Sequence, residues 1–371
     1  MGTDARSSLQ ELLPGIAERE HDDPEAFPNE SVAALFDAGV IAAPFAADLG
    51  GSGSTLGESV ADIEALASAS PSTALIAAMP VGFAGIFALG SDVAPEQHRA
   101  DFADQIVRVA AEYGESKIYA ACNSEKGAGG SLDATKTTVE KGSDDVFLIT
   151  GEKILASSGQ HASTFVSTAK VKPEDLAGTG VVEFFLIDAH GEGVEILDDW
   201  DGFGMRATES QTVRFASAPT RELMGFPDFI NVVEPLPYFY CLFAAIPLGC
   251  AKAVLEATAT PTPQSPALRL RLSEAVMRYE AMRAYLLDTA DQFRPSAGPQ
   301  YAARVLRTKT YVSQEATKLC AELFALGGGR NYRRSGAVAR ALADSFAGTA
   351  LRPPLSLALE KLGEEFSLGD E

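Results

Sequence analysis

The sequence predicts an α+β protein in three consecutive parts: an N-terminal all-α domain, a central antiparallel β-barrel or sandwich, and a C-terminal four-helix bundle. Three observations carry this. Apolar residues recur at helical spacing through the first third. From Ile118 they give way to short alternating runs separated by Gly, Asp and Ser turns. From Asn231 long helical stripes return, interrupted by prolines. The composition shifts place the boundaries at 1–116, 117–228 and 229–371.

In the first part, Leu9, Leu12, Leu13 and Ile16 share a helical stripe, and Pro24 and Pro28 end it. Ser31 precedes Val32, Leu35 and Phe36, and Gly39 closes that helix. The stretch 44–54, PFAADLGGSGS, lacks both a following Gly-Lys-Ser/Thr and a preceding strand. It reads as a tight loop between helices, not a phosphate cradle. Val60, Ile63 and Leu66 mark a helix over 56–69. The stretch 70–90 is apolar almost all round, so it is buried. With Pro80 inside it, it reads as a buried helix pair, too short and broken for a membrane span. A further helix covers 96–108.

The middle part alternates over 134–139, 146–150, 165–171, 181–187, 194–197 and 212–215. Turns such as 141–145, 178–180 and 191–193 separate these runs, the rhythm of a β-barrel or sandwich. No helical period intervenes, which disfavours a dinucleotide-binding βαβ unit. Two segments stand out. YAACNSEKGAGGS (119–131) ends in a glycine-rich turn, and ITGEKILASSG (149–159) is a strand that leads to Ser157 and Ser158. Glycines let backbone N–H groups approach a ligand, and hydroxyls at a strand end hydrogen-bond a ring edge. Together they suggest a floor for a flat, phosphate-bearing cofactor. The segment from Trp200 to Arg206 pairs glycines with aromatics and a cation, a rim for that floor.

In the last part a long apolar face runs from Tyr238 to Glu256, and Pro261, Pro263 and Pro266 mark a break. Leu272, Val276, Tyr279, Met282 and Leu286 line one stripe and read as core. A helix over 301–326 ends at Gly327, Gly328 and Gly329. Two more, 337–350 and 355–366, are parted by Pro353 and Pro354. Helices of this length joined by short breaks read as a bundle.

The bulk numbers narrow the function. The 371 residues carry a formal charge of −21, which argues against a nucleic-acid or anionic-membrane surface. The four cysteines, Cys122, Cys241, Cys250 and Cys320, form no CxxC and offer no metal-ligand spacing. Free thiols and a polar N-terminus without an apolar core segment fit a reducing cytoplasm.

The segments 44–54, 121–131, 149–159, GFGMRATES (202–210), IPLGCAKAVLE (246–256) and ALGGGRNY (325–332) recur in this order over nearly the full length. On these motifs the chain resembles the acyl-CoA dehydrogenase superfamily. The resemblance implies FAD held between the β-domain and the bundle, with part of the cofactor contributed by a neighbouring subunit. It implies a tetramer, homomeric or heteromeric, a small acyl-CoA-like substrate, and an electron-transfer partner or oxygen as acceptor. By register with the family's Y-x-x-T-E-P-x-x-G-S-D pattern, Ser124 takes the Thr facing the flavin's pyrimidine edge. Cys122, Asn123, Gly129 and Gly130 then complete the cofactor turn. In the family's K-x-W-I-T-N-G pattern, Leu155 replaces the Trp over the ring, Ala156 follows it, and Ser157 takes the Thr that reaches N5. Gly327 and Gly328 resemble the pair that contacts the partner subunit's pyrophosphate.

Departures from the family pattern matter as much. The family removes the substrate's α-proton with a carboxylate eight residues after the Asp of an Arg-Asp-Ala motif. Asp344 is the match to that Asp, and the position eight residues on is Arg352. The second base position of the family, eight residues before the Pro of Gly-Pro-Leu-Gly, falls on Phe239, between Tyr238 and Tyr240. Gly130 and Ser131 replace a Ser-Asp pair. The Arg-x-x-Phe-Gly segment that grips the cofactor across the dimer is replaced by TPTPQSPALR (260–269).

These residues support a flavin oxidoreductase acting on an acyl-CoA or related substrate by CH–CH oxidation, with Glu209 or Asp344 as candidate bases. An alternative is a flavin monooxygenase of the same fold, its pocket shaped by Tyr238, Tyr240, His161 and Ser157. A second is a degenerate subunit of a heteromeric dehydrogenase. His161 alone after a glycine turn reads as structural. Arg352 either caps a helix end or binds a carboxylate or phosphate.

Overall fold

A computed structural model describes residues 5–132, 134–142, 146–260 and 265–364. Pro261, Pro263, the tip of the 141–145 turn and Phe366 lie outside the described residues.

The first helices are α1 (Ala5–Asp22), α2 (Asn29–Asp37), α3 (Leu56–Ala69), α4 (Pro71–Gly90) and α5 (Arg99–Gly114). Leu9 and Ile16 of α1 are fully buried, as their spacing required. Helix α2 begins two residues before Ser31, whose buried hydroxyl instead accepts Arg19 Nε at 2.9 Å. Gly39 follows α2 at φ +73°, the left-handed conformation that ends a helix. Thr55 and Glu58 form a reciprocal capping box at the start of α3. The stretch 71–90 is one helix, not a pair. Proline removes a single N–H donor, and close packing on nearly every face keeps the helix continuous through Pro80, whose carbonyl accepts Tyr113 Oη at 2.8 Å. Pro71–Val93 and Leu236–Ala259 are long and apolar enough to cross a membrane, yet 89% and 83% of their most apolar windows is buried inside the protein.

The β-domain contains β1 (Tyr119–Ala121), β2 (Thr138–Lys141), β3 (Phe147–Ala156), β4 (Thr164–Lys170), β5 (Val182–Asp188), β6 (Val194–Ile196), β7 (Gln211–Pro219) and β8 (Glu222–Leu223). They form one sheet in the order β6-β7-β3-β2-β4-β5-β8, with β1 beside β4. Pairing is antiparallel except for β1–β4 and β2–β4, which are parallel. Strands β1 and β2 thus share one side of β4, and the glycine-rich turn leaves the sheet between them. The alternation of β5 serves two cores. Phe185 and Ile187 enter the sheet's own core with Phe165, Ile149 and Val213. Phe184 and Leu186 enter the helical core with Val166 and Tyr119.

The chain closes with α6 (Phe229–Val233), α7 (Leu236–Ala259), α8 (Pro266–Ala290), α9 (Pro299–Leu326), α10 (Ala337–Ser345), α11 (Ala347–Ala350) and α12 (Leu355–Glu364). The expected helix over 337–350 is two, broken at Phe346. On α8, Leu272, Met282 and Leu286 are buried but Val276 is exposed, because Ala275 takes the inward place at that turn. Terminal and leading helices share one core. Gly249 on α7 lets α3 approach, since a Cβ there would sit 2.4 Å from Glu64 O. Buried Glu64 in turn accepts Arg283 Nε at 2.8 Å and the Tyr279 hydroxyl from α8.

Helix α1 docks through Glu20, which accepts the Ser70 hydroxyl at 2.8 Å. Burial, with nearby Asp344 adding to it, pushes the Glu20 carboxyl up to about 7. The folded chain therefore keeps a proton that the unfolded chain releases near pH 4.3. Stability contributed by this group is full below that pH and falls as pH rises to about 7. Glu20→Gln should match the parent in urea denaturation below pH 4 and be more stable relative to it at pH 8. Parallel curves across that range would contradict this.

Candidate functional site

The turn after β1 is held by one buried ion pair. Lys153, fully buried on β3, donates to Glu125 Oε1 at 2.7 Å, to Thr168 O at 2.7 Å and to Thr168 Oγ1 at 3.3 Å. Glu125 also accepts the N–H groups of Lys136 and Thr137 and the Thr137 hydroxyl at 2.6–3.1 Å. Burial would raise the Glu125 carboxyl, but the Lys153 ammonium and these donors hold it down to about 2. Burial pulls Lys153 below the usual lysine range against the attraction of Glu125. The turn is further stitched to β4: Asn123 Oδ1 accepts Thr168 N–H at 2.8 Å, and Ser167 Oγ donates to Cys122 O at 2.6 Å. Ile154 N–H donates to Ser124 O at 2.8 Å, tying the turn to β3.

Above this floor lies a cavity of about 280 Å³, near the lower end of small-molecule sites. Its base is Asn123, Ser124, Leu155 and Ser157. Irregular pairing of β3 with β7 between Lys153 and Ala156 leaves Leu155 at φ +58°. That conformation leaves Leu155 52% exposed while Ala156 enters the sheet core. Trp200, Phe203, Gly204 and Met205 form a rim, Leu75, Met79 and Phe83 of α4 one wall, and Phe239, Tyr240 and Phe243 of α7 another. Phe346, Leu351 and Arg352 close the far side.

Hydroxyls run from the base in one direction. Thr208 Oγ1 donates to Met205 O at 2.8 Å, so it accepts from Ser210 Oγ at 2.7 Å. Ser210 has then spent its proton, and Ser157 Oγ donates to it at 2.9 Å. The lone pairs of Ser157 remain for a donor in the cavity.

Asn123, Ser124, Leu155 and Ser157 of the expected cofactor residues line the cavity. Cys122 and Ala156 do not; both side chains point into the sheet core. Gly129 and Gly130 are off it, in the turn. A Cβ on Gly130 would lie 2.4 Å from Pro354 Cδ, so this glycine seats the C-terminal segment on the turn. Gly327 and Gly328 sit at the end of α9, outside the lining. Tyr240 lines the cavity, whereas Tyr238 is buried in the helical core and His161 stacks on Phe27 at 3.8 Å. Neither candidate base reaches it. Glu209 pairs with His161 at 3.3 Å. Asp344 accepts Met205 N–H at 2.6 Å and holds the rim; burial raises its carboxyl to about 6. The apolar walls from α4 and α11 were invisible in the sequence, because a helix buried on all sides does not reveal which face borders a cavity, and on α7 only Phe239 and Tyr240 stood out.

The acyl-CoA dehydrogenase N-terminal domain model matches residues 4–106 and the acyl-CoA dehydrogenase middle domain model residues 120–218, together more than half of the chain. The chain belongs to the acyl-CoA dehydrogenase superfamily. It is 22% identical to the probable acyl-CoA dehydrogenase YngJ of Bacillus subtilis (strain 168), over 92% of this chain and 93% of that one. Butyryl-CoA dehydrogenase from Megasphaera elsdenii has the same fold, with a TM-score of 0.81 at 19% identity over 98% of both chains. So does the dibenzothiophene monooxygenase TdsC of Paenibacillus sp. A11-2, solved bound to FMN, with a TM-score of 0.78 at 20% identity over 98% and 96% of the two chains.

Against the superfamily's pattern, both positions expected to carry a base, Phe239 and Arg352, lie on the cavity wall, and no Asp or Glu is among its described lining residues. Lys309 fixes the segment around Arg352 by donating to Leu351 O at 2.8 Å and Pro353 O at 2.7 Å. Burial pulls the Lys309 ammonium down to about 7.

Breaking the ion pair under the floor leaves an uncompensated buried charge. Lys153→Met should cost about 3–5 kcal/mol in urea denaturation, and adding Glu125→Leu should recover much of it. A single-variant loss below about 0.5 kcal/mol would show that the pair does not hold the turn.

Proposed function

We propose that the protein is a flavin-dependent oxidoreductase of the acyl-CoA dehydrogenase type, which holds FAD in this cavity and oxidises a CH–CH bond of an acyl-CoA or related substrate. The observation that carries the proposal is the chemistry of the slot's base. Hydroxyls of Ser124 and Ser157 stand on its base beside an apolar side chain, Leu155, that is 52% exposed with nothing covering it. A planar heterocycle with a polar edge and two apolar faces fits that arrangement. When bound, the flavin supplies a two-electron acceptor. Ser124 and Ser157 would orient its polar edge, the Ser157 lone pairs being free to accept a hydrogen bond there. Leu155 covers one face, and Phe239 and Phe243 exclude water. Gly327 and Gly328 reach a neighbouring subunit's cofactor. A homotetramer or heterotetramer is in keeping with Leu270 and Met277, large apolar residues left exposed on α8. We place the protein in the cytoplasm, in keeping with its four free cysteines, all buried. Its electron acceptor is a partner flavoprotein or oxygen.

The lack of a carboxylate among the described residues lining the cavity favours a second reading, a flavin monooxygenase, which needs no base at the α-carbon. A positioned base is worth roughly 10²–10⁴-fold, and neither Phe239 nor Arg352 accepts a proton at neutral pH. Under the first reading, turnover should therefore be slow.

Purified protein should be yellow, and an anaerobic acyl-CoA panel should bleach it. Ser157→Ala should lower flavin retention while leaving the thermal midpoint close to the parent's. Bleaching by no acyl-CoA, with oxygen-dependent product once a flavin reductase is added, selects the monooxygenase. Protein that binds no flavin even when reconstituted contradicts both.

A further inference from the structure

We propose that Arg352 is an anion receptor beside this cavity, and that the part of the substrate that enters it carries a free carboxylate on an otherwise apolar body. The inference deepens the functional reading above, since it concerns the same cavity.

Arginine keeps its charge in proteins, and buried charges are paired. Arg352 departs from that rule. Its Nη2 donates to Asn123 O at 3.1 Å, but Nη1 is buried and has no hydrogen-bond partner among the described residues. Its position is imposed rather than chosen. Lys309 clamps the carbonyls on either side of it, and Pro354 packs against Gly130 on the turn below. No Asp or Glu lies among the described lining residues to neutralise the guanidinium. Glu125 is a carboxylate whose charge acts on it, and that carboxylate is already engaged by Lys153 and Thr137. A guanidinium nitrogen is therefore left without a partner beside the cavity, in a segment held in place around it.

The surroundings select the anion. Phe239, Phe243, Phe346 and Leu351 are apolar, so they take a hydrocarbon or aromatic body. Tyr240 lies on the same wall, close enough for the arginine's charge to act on its phenol. One unpartnered guanidinium nitrogen, with its two N–H donors, and one phenol match a monoanionic carboxylate. A phosphate dianion would leave oxygens unsatisfied against aromatic walls, at a high desolvation cost. The position that holds a proton-abstracting carboxylate elsewhere in the superfamily thus holds its electrostatic opposite here.

The test is isothermal titration calorimetry on the purified holoprotein with 3-phenylpropanoate and its isosteric amide, 3-phenylpropanamide, and with inorganic phosphate. The acid should bind roughly tenfold or more tightly than the amide, the effect of one hydrogen bond to a charged group. Arg352→Met should abolish that preference and leave amide binding in place, and Arg352→Lys should keep part of it. The acid–amide comparison on the parent protein stands even where a variant fails to fold. Equal affinities, no binding of either probe, a preference that survives in Arg352→Met, or phosphate binding as tightly as the acid would each overturn the proposal. Visible absorbance on the same samples reports flavin separately. Missing flavin counts against the cofactor reading, and a missing acid preference with flavin present counts against this one.

Discussion

Everything at the base of the cavity depends on the ion pair between Glu125 and Lys153. Placing two opposite charges beneath a sheet is costly unless every polar atom is satisfied. Here all three ammonium protons have acceptors, and the carboxylate collects three donors besides the lysine. That saturation lets the chain leave the sheet after β1 and rejoin it at β2 without unravelling the strands on either side. Ser124 and Asn123 are held at the mouth of that excursion, which is why two short polar side chains can serve as a rigid floor.

The second constraint is that β4 and β5 belong to two cores at once. Residues alternate between a core inside the curled sheet and the larger core shared by leading and trailing helices. The sheet therefore cannot shift relative to α4 and α7 without exposing Phe184 or Leu186. Rigid walls follow from this, and so does the poor tolerance for movement at the rim, where Asp344 reaches across from α10 to Met205. The C-terminal segment closes the far side, and Arg352 is carried into the cavity by contacts that span most of the chain.

Much of this was legible in one dimension. Strands and helices declared themselves by period, Gly39 and Ser157 were found by residue type and place, and Ser124 by register with the family's pattern. Counting eight residues from Asp344 landed on Arg352, which does line the cavity. What failed has physical reasons. Pro80 suggested two helices because a proline's missing donor is visible in sequence, while the packing that tolerates it is not. Val276 fitted an apolar stripe, yet a small alanine beside it faced inward. Cys122 and Ala156 sit next to floor residues in sequence, but strand alternation sends them to the opposite face. Glu209 and Asp344 were plausible bases by composition; only their partners, His161 and the backbone of Met205, show that each is already occupied. The contact of Asn123 with Arg352, made across 229 positions, has no local signature at all.

The central claim is that the space above Ser124 and Ser157 is where a flavin ring lies. Trp200 is the only tryptophan in the chain and lines that space. Its indole N–H is fixed on the carbonyls of Met205 and Arg206, so its emission reports on the cavity directly. Protein stripped of flavin and titrated with FAD should lose most of its tryptophan fluorescence with a one-to-one end point. Emission that stays unchanged while flavin binds elsewhere, or no binding at all, would contradict the account.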